Sequence, residues 1–268
     1  MRTVTIIEKC YGSHAHQGLE RLSLHLKRFC EELDVKIHSF ECDPRGWVKV
    51  TFAGTDEEVF VSYLEEEFGL TAGSIEHLVV GEYLRGKIID SGSVGYGLYI
   101  DLGINRPENV DALIPLTELR TQLLGGRKAS LQEIIRTFCL FDNLTLDIIL
   151  TKVDPDRLTI EACLSSSQLS TFNDWVETNL ERIMVMGATI WHVKNSVSRS
   201  GHERDILRVE DLGLLESSVI CKLGTHARGL IPDLGRFLRG VSLHVFLPRN
   251  ACRLRSLDER SQSMVVDQ

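Results

Sequence analysis

Between residues 86 and 119, apolar and polar residues alternate in three short segments. They read GKIID at 86–90, GYGLYIDLG at 95–103 and DALIPLTEL at 111–119. A period of two places every second side chain on one face of a strand, and short strands joined by glycine turns are typical of a small barrel. The sequence therefore predicts a barrel with Tyr96 and Tyr99 in one short strand, spaced around a glycine.

These segments resemble an S1-type OB domain, over about residues 79–165. In that family the second strand has the form Phe-Gly-x-Phe-Val-x-Leu-Gly. The residues at those places here are Tyr96, Gly97, Tyr99, Ile100, Leu102 and Gly103. The family's third strand has the form Gly-Leu-Val-His-x-Ser, but Pro115 replaces the histidine, so one polar base contact is not carried over. The resemblance implies binding of single-stranded RNA, because aromatic rings on an OB face stack on unpaired bases.

The predicted nucleic-acid contacts are two tyrosines and four basic residues of the barrel. Tyr96 and Tyr99 are expected to stack on bases, with the alternative that one of them only packs within the barrel, since strands favour aromatic residues. The cations expected to steer the RNA backbone are Arg85, Lys87, Lys152 and Arg157.

The charge of the chain argues against strong backbone binding by the barrel alone. The formal net charge is −8, and the acidic excess lies in residues 1–165. A protein that draws its affinity from phosphates usually carries a basic patch, so a local basic face or a protein partner is needed. Arginines recur nearer the C-terminus, where they form either a solvated face or a second basic surface. They are Arg228, Arg236, Arg239, Arg249, Arg253, Arg255 and Arg260.

The predicted fold class is α+β, with a further domain on each side of the barrel. The N-terminal part has a βαββα pattern, which predicts a ferredoxin-like domain. After the barrel, apolar residues at helical spacing predict a linking helix. The segment ARGLIPDLG at 227–235 shares the tripeptide LIP with the ALIP of 112–115, which predicts a corresponding strand of a second barrel. The predicted parts are a ferredoxin-like domain at 1–75, the S1-like OB barrel at 76–165, the linking helix at 166–184, a degenerate OB-like β domain at 185–250 and a flexible tail at 251–268.

The whole arrangement resembles an uncharacterised archaeal family in which an S1-like domain lies between α/β and β-rich parts. The α/β unit beside an S1 barrel is also similar in architecture to the small stalk subunit of archaeal RNA polymerase and to the exosome cap subunits. Such likeness brings no catalytic residues with it, because fold does not fix function.

Signals for catalysis or metal binding are weak. His14 and His16 near Cys10 lie at a predicted strand-to-helix junction, where polar caps are common. The glycine-rich segment 92–97 opens a strand, so it lacks the helix N-terminus that binds phosphate in glycine-rich loops. We expect no enzyme activity, no cofactor and no metal. The sequence contains no apolar run of about 18 residues and no signal-peptide pattern, so we expect a cytoplasmic protein without a membrane partner.

Three functions remain open at this point. The first is a non-enzymatic RNA-binding protein of the translation, transcription or RNA-processing machinery, which binds single-stranded or structured RNA. The alternative is an acidic adaptor that docks on a basic ribosomal, RNA polymerase or exosome protein through its N-terminal half, with Glu65 to Glu67 as candidate contacts. A third and weaker hypothesis, a metal-dependent hydrolase, requires a bound metal.

Overall fold

The computed structural model describes residues 1–256. It shows a mixed α+β fold in which two open sheets flank one closed barrel. The predicted α+β class is therefore confirmed.

The first unit is a three-stranded antiparallel sheet with two helices. Its elements are β1 (Arg2–Lys9), α1 (Ala15–Phe29), β2 (Val35–Cys42), β3 (Trp47–Gly54) and α2 (Glu57–Glu67). The strand order is β1-β3-β2. Leu22 and Leu26 share one face of α1 because they are four residues apart, and both are buried in one core with Phe52 and Phe60. The βαββα order is present as predicted, and the assignment of this unit to the ferredoxin-like class stays a prediction.

The second unit is the closed barrel. Its elements are β4 (Tyr83–Ile89), β5 (Gly97–Ile104), β6 (Val110–Pro115), α3 (Leu116–Leu124), α4 (Leu131–Phe138), β7 (Thr145–Asp154) and β8 (Thr159–Leu164). The strands close in the order β4-β5-β6-β8-β7, with β6 and β8 parallel and the other neighbours antiparallel. Leu98, Ile100 and Leu102 point into the interior and are buried. The alternation thus correctly predicted a small OB-like barrel, whereas its S1 character stays a prediction.

The third unit corrects the prediction of a second barrel. Its elements are α5 (Ser166–Glu177), β9 (Arg182–Met186), α6 (Ile190–Ser200), β10 (Ile206–Asp211), β11 (Glu216–Cys221), α7 (Ala227–Gly235), β12 (Ser242–Phe246) and α8 (Pro248–Ser256). The strands form an open antiparallel sheet in the order β10-β11-β9-β12. From β9 to β12 the element order is β-α-β-β-α-β, which is the order of the ferredoxin-like motif.

The short repeat that suggested a second barrel has different structures in its two copies. Leu113 and Ile114 lie in β6, whereas the second copy lies in α7. Ala227, Leu230 and Leu234 recur every three or four residues and are buried on one helix face. Three shared residues therefore did not determine the secondary structure, and the longer apolar period did.

Two boundaries after the barrel also differ from the prediction. The linking helix ends at Glu177, and Ile183 of its predicted apolar stripe lies in β9 instead. The start of the predicted flexible tail is helical in α8, where Ala251 is buried and Arg255 donates a hydrogen bond to the carbonyl oxygen of Leu123 at 2.9 Å. The rest of the predicted tail, residues 257–268 with Arg260, lies outside the described residues.

Candidate nucleic-acid interface

The two tyrosines lie together at the N-terminal end of β5, on the outside of the barrel. Tyr96 directly precedes the strand, and its side chain is exposed, with a relative accessibility of 56%. Its hydroxyl lies 2.8 Å from the hydroxyl of Tyr99, and the two rings meet edge to face with centroids 6.3 Å apart. The hydrogen bond with Tyr96 and, to a smaller extent, partial burial raise the pKa of Tyr99. The pair is therefore a fixed aromatic corner in which Tyr96 presents most of its ring to solvent.

The backbone around Tyr96 is held by close contact with the end of β6. The amide of Leu116 donates a hydrogen bond to the carbonyl oxygen of Tyr96 at 2.8 Å. A Cβ atom on Gly97 would lie 2.6 Å from the carbonyl oxygen of Ile114, so glycine is required for this approach. Pro115, which replaces the family's histidine, directly precedes α3 and pairs with Gly97. The aromatic corner is thus bordered by an apolar residue where a polar base contact would lie in the S1 pattern.

The next outward-facing residue of β5 is covered. Asp101 is fully buried, although it lies on the same outer face as Tyr99. Three side chains of the first unit reach its carboxylate: Lys9 Nζ at 2.6 Å, Trp47 Nε1 at 3.0 Å and Arg45 at 3.2 Å. OB domains bind their ligands on the face formed by the second and third barrel strands, which are β5 and β6 here. The N-terminal unit therefore occupies the central part of that face.

A second carboxylate lies directly across from the first. Asp101 pairs with Asp111 of β6, and like charges in this arrangement repel each other. The Arg45 guanidinium contacts both carboxylates and donates to Asp111 at 2.7 Å. Burial raises the pKa of Asp111, while its bond to Arg45 acts in the opposite direction. Arg45 thus neutralises a pair that would otherwise destabilise the barrel surface.

The structure contradicts the prediction that Lys87 steers RNA. Lys87 is fully buried, and its Nζ lies 2.8 Å from Glu216 and 3.2 Å from Glu8. Glu216 also accepts a hydrogen bond from the Tyr11 hydroxyl at 2.6 Å. Burial by itself would lower the pKa of Lys87, but the two glutamates outweigh it and raise that pKa. Lys87 therefore joins the barrel to both flanking units and has no surface left for a ligand.

The other three predicted cations lie on the barrel surface but away from the tyrosines. Arg85 contacts Asp147 at 3.2 Å, Lys152 contacts Glu161 at 3.2 Å, and Arg157 lies 3.8 Å from Asp154. Tyr99 pairs with Ile89, whereas Arg85 is four residues further along β4, which is about 13 Å. Lys152 and Arg157 flank the turn between β7 and β8. Across the barrel, Tyr99 pairs with Leu113, Leu113 with Glu161 and Glu161 with Lys152, so Lys152 lies three strands from Tyr99, about 14 Å around the surface. The structure does not bring these cations together with the tyrosines.

A separate cleft of about 600 Å³ lies where the three units meet. Its charged lining combines Arg21 and Arg85 with four carboxylates, those of Glu8, Glu67, Asp147 and Asp211. Burial raises the pKa of Asp211. The cleft carries both signs of charge, so its composition does not favour an anionic polymer.

The residues weighed as metal ligands are not grouped around one point. His16 lies 3.5 Å from Glu20 on the surface, whereas the ring of His14 packs against that of His192 with centroids 4.5 Å apart. Within residues 1–256, no three histidine, cysteine, aspartate or glutamate side chains are placed to hold a metal ion. The glycine-rich segment 92–97 leads into β5, as the sequence predicted. No helix within the same residues is long and apolar enough to cross a membrane.

Three family models match consecutive parts of the chain. The DUF2110 N-terminal domain matches residues 3–73, the DUF2110 central domain residues 78–176 and the DUF2110 C-terminal domain residues 180–246. The chain belongs to the DUF2110 family. The DUF2110 central domain contains Tyr96, Lys87 and Asp101. The N-terminal domain contributes Glu8 to the buried ion pairs with Lys87, and the C-terminal domain contributes Glu216. The buried charges therefore connect all three DUF2110 domains.

No curated protein matches this DUF2110 chain. Among solved structures, the complex of a/eIF2alpha, aDim2p and rRNA from Pyrococcus horikoshii OT3 is similar at 10% sequence identity and a TM-score of 0.25. That likeness covers 47% of this chain and 66% of the other, slightly less than two thirds of its length.

The interface residues that sequence reasoning missed are Lys9, Arg45 and Trp47, which cover Asp101, and the two glutamates that bind Lys87. Each belongs to a unit far from the barrel in sequence, and Lys87 and Glu216 are 129 positions apart. When only its own strand is considered, a charged residue on the outer face is predicted to be exposed to solvent. No local pattern in this chain identifies those partners.

Proposed function

We propose that this chain is a non-enzymatic RNA-binding protein of the translation, transcription or RNA-processing machinery, and that its barrel acts as an S1-like domain. The observation that carries the proposal is the exposed Tyr96 ring, fixed by its hydrogen bond to Tyr99 on the strand that OB domains use for ligands. Unpaired bases present a flat apolar face to such a ring, so the expected ligand is single-stranded RNA.

The covered part of β5 limits the size of this site. Asp101 is buried beneath the N-terminal unit two residues after Tyr99, so a strand of RNA cannot continue along the face. The proposal is therefore contact with one or two bases at the tyrosine corner. Stacking contributes about 1–3 kcal/mol per base, which corresponds to weak or moderate affinity.

The salt dependence follows from the position of the cations. Arg85, Lys152 and Arg157 lie away from the tyrosines and are paired with carboxylates, so few phosphate contacts accompany the stacking. The logarithm of affinity falls with the logarithm of salt concentration in proportion to the number of phosphates neutralised. Binding at the tyrosine corner should therefore show a shallow salt dependence.

Fluorescence anisotropy of a labelled single-stranded RNA, at low and at near-physiological salt, tests the proposal. Wild type should bind saturably, and Tyr96→Ala/Tyr99→Ala should lose that binding. Tyr83→Ala is the matched control, because Tyr83 is an equally exposed tyrosine of the same barrel on β4. Absence of binding by wild type at low salt, or equal loss in the control, would refute the proposal.

The adaptor function is a second proposal, and one specific observation favours it. Glu65, Glu66 and Glu67 are consecutive and exposed at the end of α2, and none forms a salt bridge within residues 1–256. A basic ribosomal, RNA polymerase or exosome protein would fit such a surface. Binding to purified proteins of these assemblies should survive Tyr96→Ala and fail after Glu65→Lys/Glu66→Lys/Glu67→Lys. Protein binding that survives the charge reversal would exclude this acidic surface as the docking site.

A further inference from the structure

A basic cavity of about 610 Å³ opens between the start of α1 and the C-terminal unit. In a chain with a formal net charge of −8, its lining contains no carboxylate. The lining residues are His14, His192, Arg199, Arg236, Phe237 and Arg239. The arginines of the C-terminal unit, which the sequence left as either a solvated face or a basic surface, thus contribute two members to one cavity.

The fold places these side chains from three separate elements. His192 and Arg199 are seven residues apart on α6, which is close to two helical turns, so they share one face. Arg236 and Arg239 belong to the loop between α7 and β12, which is anchored by the buried side chain of Leu238. The third element is the N-terminus of α1.

Two contacts fix the position of the C-terminal groups. His192 Nε2 donates a hydrogen bond to the carbonyl oxygen of Phe237 at 3.0 Å, since a carbonyl oxygen only accepts. The Arg199 guanidinium lies over the Phe237 ring, 4.6 Å from its centroid. The loop and the helix are thereby held together, and Arg199 is pre-positioned at the cavity.

The charges of the cavity are largely uncompensated. Neither Arg199 nor Arg239 forms a salt bridge with any residue in the described part of the chain. Arg236 lies 3.6 Å from Asp233, which is also shared with His202. Arginine residues with free donors are suited to phosphate, because the planar guanidinium donates two parallel hydrogen bonds to its oxygens.

The N-terminal side adds an unpartnered polar atom and a helix terminus. His14 Nδ1 contacts the Gln17 side-chain oxygen at 3.1 Å, while its Nε2 is buried without a hydrogen-bond partner in the structure described here. His14 is the N-cap of α1, and the first turn of this 15-residue helix contains no acidic residue. Helix N-termini attract anions, so the α1 terminus adds to the field of the arginines.

We propose that this cavity binds a phosphomonoester, carried by a nucleotide or by the 5′ end of an RNA. Its volume exceeds that of a phosphate ion, which leaves space for the attached nucleoside. Arg199 and Arg239 hold the phosphate oxygens, and the unpartnered His14 Nε2 supplies a further polar contact to the same anion. This site contains neither Tyr96 nor Tyr99, so it is independent of the proposed stacking corner.

Isothermal titration calorimetry with the full chain tests the inference. The ligands are AMP, adenosine, inorganic phosphate, and a short RNA with either a 5′-phosphate or a 5′-hydroxyl. AMP should bind and adenosine should not, and inorganic phosphate should bind more weakly than AMP. The 5′-phosphorylated RNA should bind more tightly than the 5′-hydroxyl RNA, which keeps only the stacking contact at Tyr96 and Tyr99. The relative affinity of AMP and the 5′-phosphorylated RNA distinguishes a free nucleotide from an RNA end. Arg199→Gln/Arg239→Gln should weaken binding by about tenfold or more, because hydrogen bonds to charged groups are the strong ones.

Arg228→Gln is the matched control, since Arg228 is an exposed arginine on α7 that does not line the cavity. Tyr96→Ala/Tyr99→Ala should keep phosphate binding, which separates this inference from the proposed function. Arg199→Lys/Arg239→Lys keeps the charge but loses the paired donors, and it should bind more weakly than wild type. Failure of wild type to bind any phosphorylated ligand would overturn the inference, as would equal binding by wild type and Arg199→Gln/Arg239→Gln.

Discussion

Tyr99 and Asp101 are two residues apart on the same face of the same strand, yet one borders an open corner and the other is fully buried. Near Tyr99 the barrel surface is free, and Tyr96 presents its ring to solvent. At Asp101 the N-terminal unit covers the surface with Lys9, Arg45 and Trp47. A strand in an OB-like barrel therefore does not offer its whole outer face to a ligand.

The comparison shows that flanking units decide which part of a shared face remains available. Within the barrel, Tyr99 and Asp101 have the same environment, since alternation directs both outward. The difference is the first unit, which covers Asp101 with Lys9, Arg45 and Trp47. The proposed RNA site is small for this reason, and the covered region is expected to contribute to stability instead of binding.

The largest expected effect concerns the most deeply covered charge. Lys87→Met leaves Glu8 and Glu216 buried without their cation, and removal of one partner of a buried ion pair costs about 3–5 kcal/mol. Urea denaturation should show this loss in the free energy of unfolding. Lys152→Met is the control, because the Lys152–Glu161 pair lies on the surface of the same barrel and should contribute only about 0–1 kcal/mol.

A second change sharpens the same test. Glu216→Gln in the Lys87→Met background removes one of the stranded charges and keeps a side-chain oxygen for the Tyr11 hydroxyl. Part of the lost stability should return. If Lys87→Met and Lys152→Met destabilise the protein equally, the covered region does not differ from the exposed surface and the comparison fails.

The next effect concerns the residue that covers the paired carboxylates. Arg45→Met exposes the repulsion between Asp101 and Asp111, and the lost bonds to charged groups correspond to about 1.5–3 kcal/mol. Arg2→Met is the control, because Arg2 lies in the same unit and its exposed contact with Glu58 has the same 2.7 Å length as that of Arg45 with Asp111. Its loss should lower the free energy of unfolding by only about 0–1 kcal/mol. Thermal unfolding of both variants measures the difference, and a smaller loss in Arg45→Met than in Arg2→Met would argue against the role of Arg45.

The contribution of the Tyr96 ring, at the uncovered start of β5, is tested by removing its hydroxyl alone. Tyr96→Phe keeps the ring and removes the hydroxyl that meets Tyr99, so RNA binding should weaken by less than about 1 kcal/mol. Tyr96→Ala removes the ring and should weaken it by about 1–3 kcal/mol. Anisotropy titrations compare the two. Equal losses would mean that the hydroxyl, and not the ring, contacts RNA.

The smallest effect concerns an ion pair near the surface of the C-terminal unit. Hydrogen bonds to Asp205 and Asp233 raise the pKa of His202 above its usual value of about 6.5. A raised folded-state pKa stabilises the protein below the unfolded-state pKa, and this contribution is lost as the pH rises through the folded-state pKa. His202→Gln should therefore lose more stability at about pH 5.5 than at about pH 8.5. Denaturation at both values measures this, and a deficit that does not change with pH would contradict the assignment.

The parts of the fold that the sequence predicted are those in which a local pattern reports directly on burial. Leu98, Ile100 and Leu102 alternate because one face of β5 lines the barrel interior, and that alternation was visible in the sequence. The helix at Ala227–Gly235 was predicted as a strand because a shared tripeptide outweighed its helical apolar spacing. Longer patterns were more informative than short motifs.

The candidate site was less accessible to prediction. The place of Tyr96 beside β5 was predicted from the sequence, and its role in RNA binding stays a prediction. Lys87 was predicted to contact RNA because its own strand does not show that it is buried. The residues that bind it, Glu8 and Glu216, lie in other units. The basic cavity was also hidden, since Arg199 meets Arg236 and Arg239 only after α6 and the loop before β12 pack together. Contacts between units are not encoded in any single stretch of the chain.

The most direct test of the central comparison is photo-crosslinking of a single-stranded RNA that contains 4-thiouridine, with the crosslinked residues assigned by fragmentation mass spectrometry. Crosslinks are expected at Tyr96 or Tyr99 and none at Trp47, which is buried over Asp101. Crosslinks at Trp47 with none at the tyrosines would contradict this expectation, because the face described as covered would then be the face that binds RNA.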